Sequence, residues 1–532
     1  MKNLNIKFIA LFLAGAAVIG CDDEFDNAIE DGGVYTSGEA DFSKFVTVGN
    51  SLTAGFADNA LYLNGQLNSY PNIIAGQMQF AGGGEFNQPL VNDNAGGLLA
   101  AGVQILPNRF VLASDGNGTP AGPVVLDATP TTDITNKVTG PLNNFGVPGA
   151  RVFHLAAPGY GALAGVATGT ANPYYARFSS SESSTVIDDA IAANGTFFTL
   201  WIGNNDILGY ATSGGLGVDN NELNNIDPAA QGDNSITNNN VFAAVYQQLV
   251  AGLTANGAKG ALVNIPDVTS IPFFTTVPFA PLSPASPTFG PQIPTLNATF
   301  AGLNQAFAFL GVPERSITFS QTAASAVVIN DESLTDLSAQ LTQVLIGGGL
   351  DAATATLFGQ QFGQARQANA TDLLTFTSQT VIGELNAARF AQLTGAGLDA
   401  ATAGQLSING VTFPLEDQWV LTQDEQDRIT TAQTAYNATI EALAAANGLA
   451  YVDVRTELST VATTGISYNG GVLTSTYASG GAFSLDGVHP TARGYALTAN
   501  TIIDAINAQY SSTLPKVDIG AYDSIQLSDS AQ

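Results

Sequence analysis

Four short runs of β-branched and aromatic residues, each closed by glycine or polar residues, most restrict the folds open to this chain. They are Phe45 to Val48, Thr196 to Ile202, Ala261 to Ile265 and Leu449 to Val454. Near-continuous apolar runs of this length are the pattern of strands covered on both faces, as in a parallel sheet. Between the second and third runs, Val241 to Asn256 sets Val241, Phe242, Val245, Leu249, Val250 and Leu253 on one helical face and meets Gly257 as its stop. Before the fourth run, Thr422-Gln423-Asp424-Glu425 is a capping box that opens a helix through Ile429, Tyr436, Ile440 and Leu443 to Gly448. A last helix is expected over Thr491 to Ala508. Strands alternating with helices predict an α/β fold of three layers, α/β/α, around a central parallel sheet.

Two stretches break the alternation. Residues 100–135 carry Arg109 to Ala113 and Val124 to Leu126 around a Gly/Asn/Pro-rich turn, which predicts a β-hairpin excursion. Residues 275–415 read as a long, mainly helical insertion that begins with a Pro-rich loop. Within it Gly349 to Ala355 recurs as Gly397 to Ala403. Two copies are too few for a solenoid and read as similar helix starts. Its phenylalanines, with Phe273 and Phe274 just before it, are expected to form the insertion's own core or a lid over a groove: Phe279, Phe289, Phe300, Phe307 and Phe309.

Charge narrows the partners. With 15 Lys+Arg against 44 Asp+Glu the net charge is −29, and no basic stripe exists to track phosphates, so nucleic acid is excluded as a partner. One cysteine and two histidines, His154 and His489, rule out a disulfide scaffold or a multi-histidine metal centre. No cofactor and no metal are expected, and the Asn-rich Asp219 to Asp227 stretch lacks the glycine of a calcium loop.

The candidate chemistry lies in four blocks. The first strand delivers Gly49-Asn50-Ser51-Leu52, a serine at the carboxyl end of a strand, where open α/β sheets place their sites. Asp486-Gly487-Val488-His489-Pro490 sets a carboxylate three residues before a histidine. Nucleophilic serine chemistry needs such a pair: a base to take the hydroxyl proton, and an acid to fix the imidazole tautomer and stabilise the imidazolium. Donors for a developing oxyanion are offered by Gly203-Asn204-Asn205-Asp206 at the end of the second strand, and by Gly146-Val147-Pro148-Gly149. His154 reads as a satisfied core or cleft histidine, and Arg151 as a candidate contact for an anionic substrate group.

In this order the four blocks resemble those of the SGNH (GDSL) hydrolase superfamily. The resemblance implies a flavodoxin-like SGNH hydrolase fold and ester hydrolysis through an acyl-enzyme. Ser51 would be the nucleophile, His489 the base and Asp486 the orienting acid, with the Ser51 N–H, the Gly149 N–H and the Asn205 side chain as the oxyanion hole. The one departure is Asn50, where the family carries aspartate. The implied substrate is an acyl ester, either a lipid or an acylated glycan. A surface binding protein on a retired hydrolase scaffold, and an O-acetyl carbohydrate esterase or acyltransferase, stay open as alternatives.

The first twenty residues predict export. Lys2 and Lys7 precede an apolar run from Phe8 to Ile19, too short at about 18 Å of helix to span a bilayer. Val18-Ile19-Gly20-Cys21 resembles a bacterial lipobox, with Cys21 as the lipidated residue, and Asp22-Asp23-Glu24 after it resembles the surface-export signals of Bacteroidota lipoproteins. The expected organisation is signal peptide 1–20, acidic tether 21–40, hydrolase domain 41–274 and 416–510 around the insertion 275–415, and tail 511–532. The implied location is extracytoplasmic, anchored through Cys21 to the outer membrane.

Overall fold

The computed structural model describes residues 35–114, 120–525 and 527–528. The expected signal peptide, Cys21 and the expected tether up to residue 34 lie outside the described residues. No helix among those described is long and apolar enough to cross a membrane.

Five strands form the central sheet: β1 (Phe45–Gly49), β2 (Asn144–Gly146), β3 (Phe197–Trp201), β4 (Lys259–Val263) and β5 (Ala450–Val452). All pairs are parallel, in the order β2-β1-β3-β4-β5. Val48 lies opposite Phe145 on one side and Leu200 on the other. The helices that position the site are α1 (Ser51–Ala54), α2 (Tyr70–Met78), α3 (Val186–Ala192) and α4 (Asn205–Thr212). They are joined by α5 (Asn239–Thr254), α6 (Gln423–Asn447), α7 (Val454–Thr463) and α8 (Ala492–Tyr510).

Strand residues point alternately to the two faces, and each face has its own core. Val46, Val48, Phe198, Leu200 and Leu262 pack against α3, α5 and α6, where Phe242 and Tyr436 stack at 4.0 Å. Phe45, Phe197, Trp201, Ala261 and Val263 pack against α2 and α8 through Tyr70, Ile74, Ile502 and Ile506. The expected α/β architecture with a central parallel sheet is present. Its helix and strand limits fall within two residues of the expected ones, and Thr422 and Glu425 close the capping box.

One strand of the central sheet was not expected. Asn144 to Gly146, read as part of a glycine block, is β2, because three residues are too few to show a period while backbone pairing with β1 is satisfied. Gly146 is required there by close approach: a Cβ would stand 2.6 Å from the Thr53 carbonyl carbon. The hairpin excursion pairs Phe110–Ser114 with Pro120–Val125 antiparallel.

The inserted segment has a core of its own, drawn from Val277 to Val420 and built on Ile293, Phe300, Leu303, Phe307, Leu341 and Phe362. Phe279 and Phe289 pack at its edge, whereas Phe274 belongs to the main core and Phe309 is 79% exposed. The two repeated heptapeptides are indeed helix starts, with Asp351 and Asp399 accepting bonds from the first-turn amides. We expect Gly146→Ala to destabilise the protein by about 1–3 kcal/mol, because the added methyl meets backbone on α1. Urea unfolding monitored by tryptophan fluorescence measures it.

Candidate active site

In a sheet of order 2-1-3-4-5, the chain leaves β1 toward one side and β3 toward the other, which opens a crevice at their carboxyl ends. Ser51 and Asn205 stand there. Asn50, 1% exposed, caps the single-turn helix α1: its Oδ1 accepts from Leu52 N at 3.0 Å, and its Nδ2 donates to Asn204 Oδ1 at 3.1 Å. Ser51 is thereby fixed as the first residue of α1. An aspartate at position 50 could keep the cap but could not donate to Asn204, so the departure at position 50 is matched by a partner.

His489 and Asp486 arrive from the far end of the chain in a tight turn, with Gly487 N donating to Ser484 O and Ser484 N to His489 O. His489 Nε2 lies 2.9 Å from Ser51 Oγ, and His489 Nδ1 lies 2.9 Å from Asp486 Oδ2. Burial pushes the Asp486 carboxyl up, but the facing His489 and its hydrogen bonds outweigh this and bring it to about 2. Asp486 is therefore an anion that can only accept, so Nδ1 carries the imidazole proton. Nε2 of the neutral ring is left as the acceptor for the Ser51 hydroxyl. The Phe56 ring lies 4.7 Å from the imidazole.

The clasp on Asp486 contains residues that the sequence did not reveal. Val488 N and His489 N donate to Oδ1 at 2.8 Å, Ser484 Oγ donates to Oδ1 at 3.1 Å, and Asn59 N donates to Oδ2 at 2.9 Å. Asp58 accepts from Leu485 N and Tyr62 Oη, and its own amide donates to Ser484 Oγ. Asp58 and Asn59 both have positive φ, 52° and 64°. The Asp-Asn dipeptide, a pair tolerant of left-handed backbone, was the one signal available.

Asn205 lies beside Ser51 at the start of α4 and donates one carboxamide N–H to Ala150 O at 2.8 Å. An asparagine amide has two N–H groups, so a second remains for a ligand. Gly149, at φ 81°, is the third residue of a turn in which Ala150 N bonds Val147 O. Pro148-Gly149 at its centre is the pattern of a type II turn. The bond from Asn205 to Ala150 ties this turn to the crevice, although Gly149 itself opens on a wider cleft with His154, Tyr160 and Asn172.

Arg151 does not face a substrate cleft. It is 3% exposed and donates to the carbonyls of Gly232 and Ser235, so it braces the loop before α5. His154 is a satisfied cleft residue: Nδ1 accepts from Arg151 N at 3.2 Å, and the ring stacks on Tyr160 at 4.5 Å. Burial, with the Arg151 charge, lowers it to about 4 and keeps it neutral.

A pocket opens beside Ser51 and His489, walled by apolar residues that include Leu208, Val268, Ile271, Val461 and Leu497. None of the seven phenylalanines considered for a lid lines it. Away from this pocket, where the insertion meets α6, Glu332, Asp417 and Glu425 bring oxygens within 4.8 Å of one another, the one such group among the described residues able to ligate a cation. Glu425 Oε2 is held by Thr422, while Glu425 Oε1 and Asp417 Oδ1 have no partner among the described residues. Burial first, and then the neighbouring carboxylates, raise Asp417 and Glu425 well above the usual range.

No family model matches this chain, and no curated protein or solved structure matches it either.

Because the folded-state pKa of Asp417 and of Glu425 is raised, the unfolded chain ionises first, and stability falls as pH rises above the ordinary carboxylate range. Asp417→Asn is expected to raise stability at pH 8 by about 1 kcal/mol while changing little at pH 5. Thermal melts at the two pH values check this.

Proposed function

We propose that this protein is a serine ester hydrolase of the SGNH (GDSL-like) superfamily that cleaves acyl esters through an acyl-enzyme on Ser51. The observation that carries this reading is the unbroken relay from Ser51 Oγ to His489 Nε2 and from His489 Nδ1 to Asp486 Oδ2, both at 2.9 Å. Its support also includes the placement of Ser51 at the switch point of a 2-1-3-4-5 sheet. As the Ser51 oxygen bonds the acyl carbon, its proton passes to His489 Nε2, and Asp486 stabilises the imidazolium. The tetrahedral oxyanion takes hydrogen bonds from the Ser51 N–H and the second N–H of Asn205, with the Gly149 N–H as the third donor that the family resemblance implies. Collapse breaks the bond to the leaving alcohol, which takes the proton from His489. Water, deprotonated by the same nitrogen, then releases the acid and restores Ser51.

The apolar pocket beside Ser51 suits the acyl part of a lipid-like ester. With the lipobox at Cys21, the proposed setting is extracytoplasmic, with the enzyme held at the outer membrane by its lipid.

A p-nitrophenyl ester series from acetate to palmitate, with the protein from residue 22 onward, tests the reaction. Ser51→Ala and His489→Ala are expected to lower kcat by about 10⁴-fold or more, and Asp486→Asn by a similar factor. Asn205→Ala should cost about 10²–10³-fold in kcat. Absence of turnover on every ester, together with failure of a fluorophosphonate to label Ser51, would overturn the reading.

A further inference from the structure

The pocket beside Ser51 contains one ionisable group besides His489. It is Glu457, on the first turn of α7. On its own element, Val454, Leu458 and Val461 turn into the same pocket. From α8, Leu497 and Thr498 face it, and the segment after β4 contributes Pro266, Val268 and Ile271. Neither α8 nor that segment presents a charged side chain to the pocket. Thr498 Oγ1 donates to Glu457 Oε1 at 3.3 Å, and Thr501 Oγ1 donates to Oε2.

Two features set this carboxyl apart from a buried structural acid. Among the described residues no cation pairs with it, and its two partners are hydroxyls, which can donate to a carboxylate or accept from a carboxylic acid. The same two threonines thus satisfy Glu457 in either protonation state. Thr498 and Thr501 lie six and nine residues into α8, about 9 and 14 Å along its axis from the end nearest His489. With bonds of about 1.5 Å at tetrahedral angles, an extended chain of eight to ten carbons spans about 9–11 Å, enough to reach the level of Thr498.

On the reading of this site as an ester hydrolase, we propose that Glu457 is a specificity-determining residue at the far wall of the acyl pocket, one that admits medium alkyl chains when neutral and rejects them when ionised. An alkyl terminus seated against a carboxylate strips it of water without replacing the lost bonds, whereas the neutral acid tolerates the contact. Burial, working against the threonine bonds, raises Glu457 to about 7, which places the change of state near neutral pH. Short acyl groups stop before Glu457 and are blind to it.

The experiment compares kcat/KM for p-nitrophenyl octanoate and p-nitrophenyl acetate across pH, as a ratio. Any pH response of the shared catalytic steps and of the shared leaving group cancels in that ratio. In the wild type the octanoate-to-acetate ratio is expected to fall roughly tenfold between about pH 6 and pH 8.5, with the change carried in the octanoate KM. In Glu457→Gln, neutral at every pH, the ratio should become flat. A flat ratio in the active wild type overturns the proposal without any variant, and so does a wild-type slope that survives in Glu457→Gln. If neither ester is turned over and Ser51 is not labelled, the hydrolase reading itself fails and takes the proposal with it. Active enzyme with a flat ratio removes the role of Glu457 alone.

Discussion

A carboxylate taken out of water is tolerated only where its oxygens are fully bonded, and the site is built around meeting that demand for Asp486. Its donors come from both ends of the chain: Asn59 from the loop after α1, and Ser484, Val488 and His489 from the turn before α8. The loop must close on the turn for the charge to be satisfied. It does so through Asp58 and Asn59 in left-handed backbone, which disfavours most residues by roughly 1–2 kcal/mol but these two least. Tyr495 on α8 adds a bond from its hydroxyl to Phe56 O. The helix that Ser51 opens, the turn that carries His489 and the last helix are thus held together around one anion.

The layered α/β architecture was legible because its runs are long enough to show a period and its helices carry caps with local chemistry. Four of five strands were visible, as were the ends of α5, α6 and α8. The strand order was not, since which side of β1 receives β2 or β3 depends on crossovers that no local pattern encodes. For the site, residue type at a strand end and the spacing of Asp486 from His489 sufficed to single out the pair now seen bonded to Ser51. The clasp of Asp58 and Asn59, and the pairing of Asn50 with Asn204, join segments far apart in the chain and left little local trace. Arg151 was misjudged for a related reason. An arginine after a glycine turn suggests a ligand contact, whereas here it answers carbonyls eighty residues away.

The insertion is a second body with its own core rather than a flap, yet it is not remote from the site. Phe376 within it lies 6.5 Å from Phe273, whose amide donates to Gly487 O in the turn that carries His489. At another seam it brings Glu332 up to Asp417 and Glu425. Ionisation of these carboxyls at high pH sets like charges at that junction, and the apolar contacts across it must then outweigh them for the junction to stay shut.

Ser51 and His489 are separated by 438 positions, and every bonded partner of Asp486 except the Asn59 amide lies in the last tenth of the chain. A chain cut short anywhere before the final turn and helix keeps Ser51 but lacks the imidazole and the carboxylate that stand in line with it.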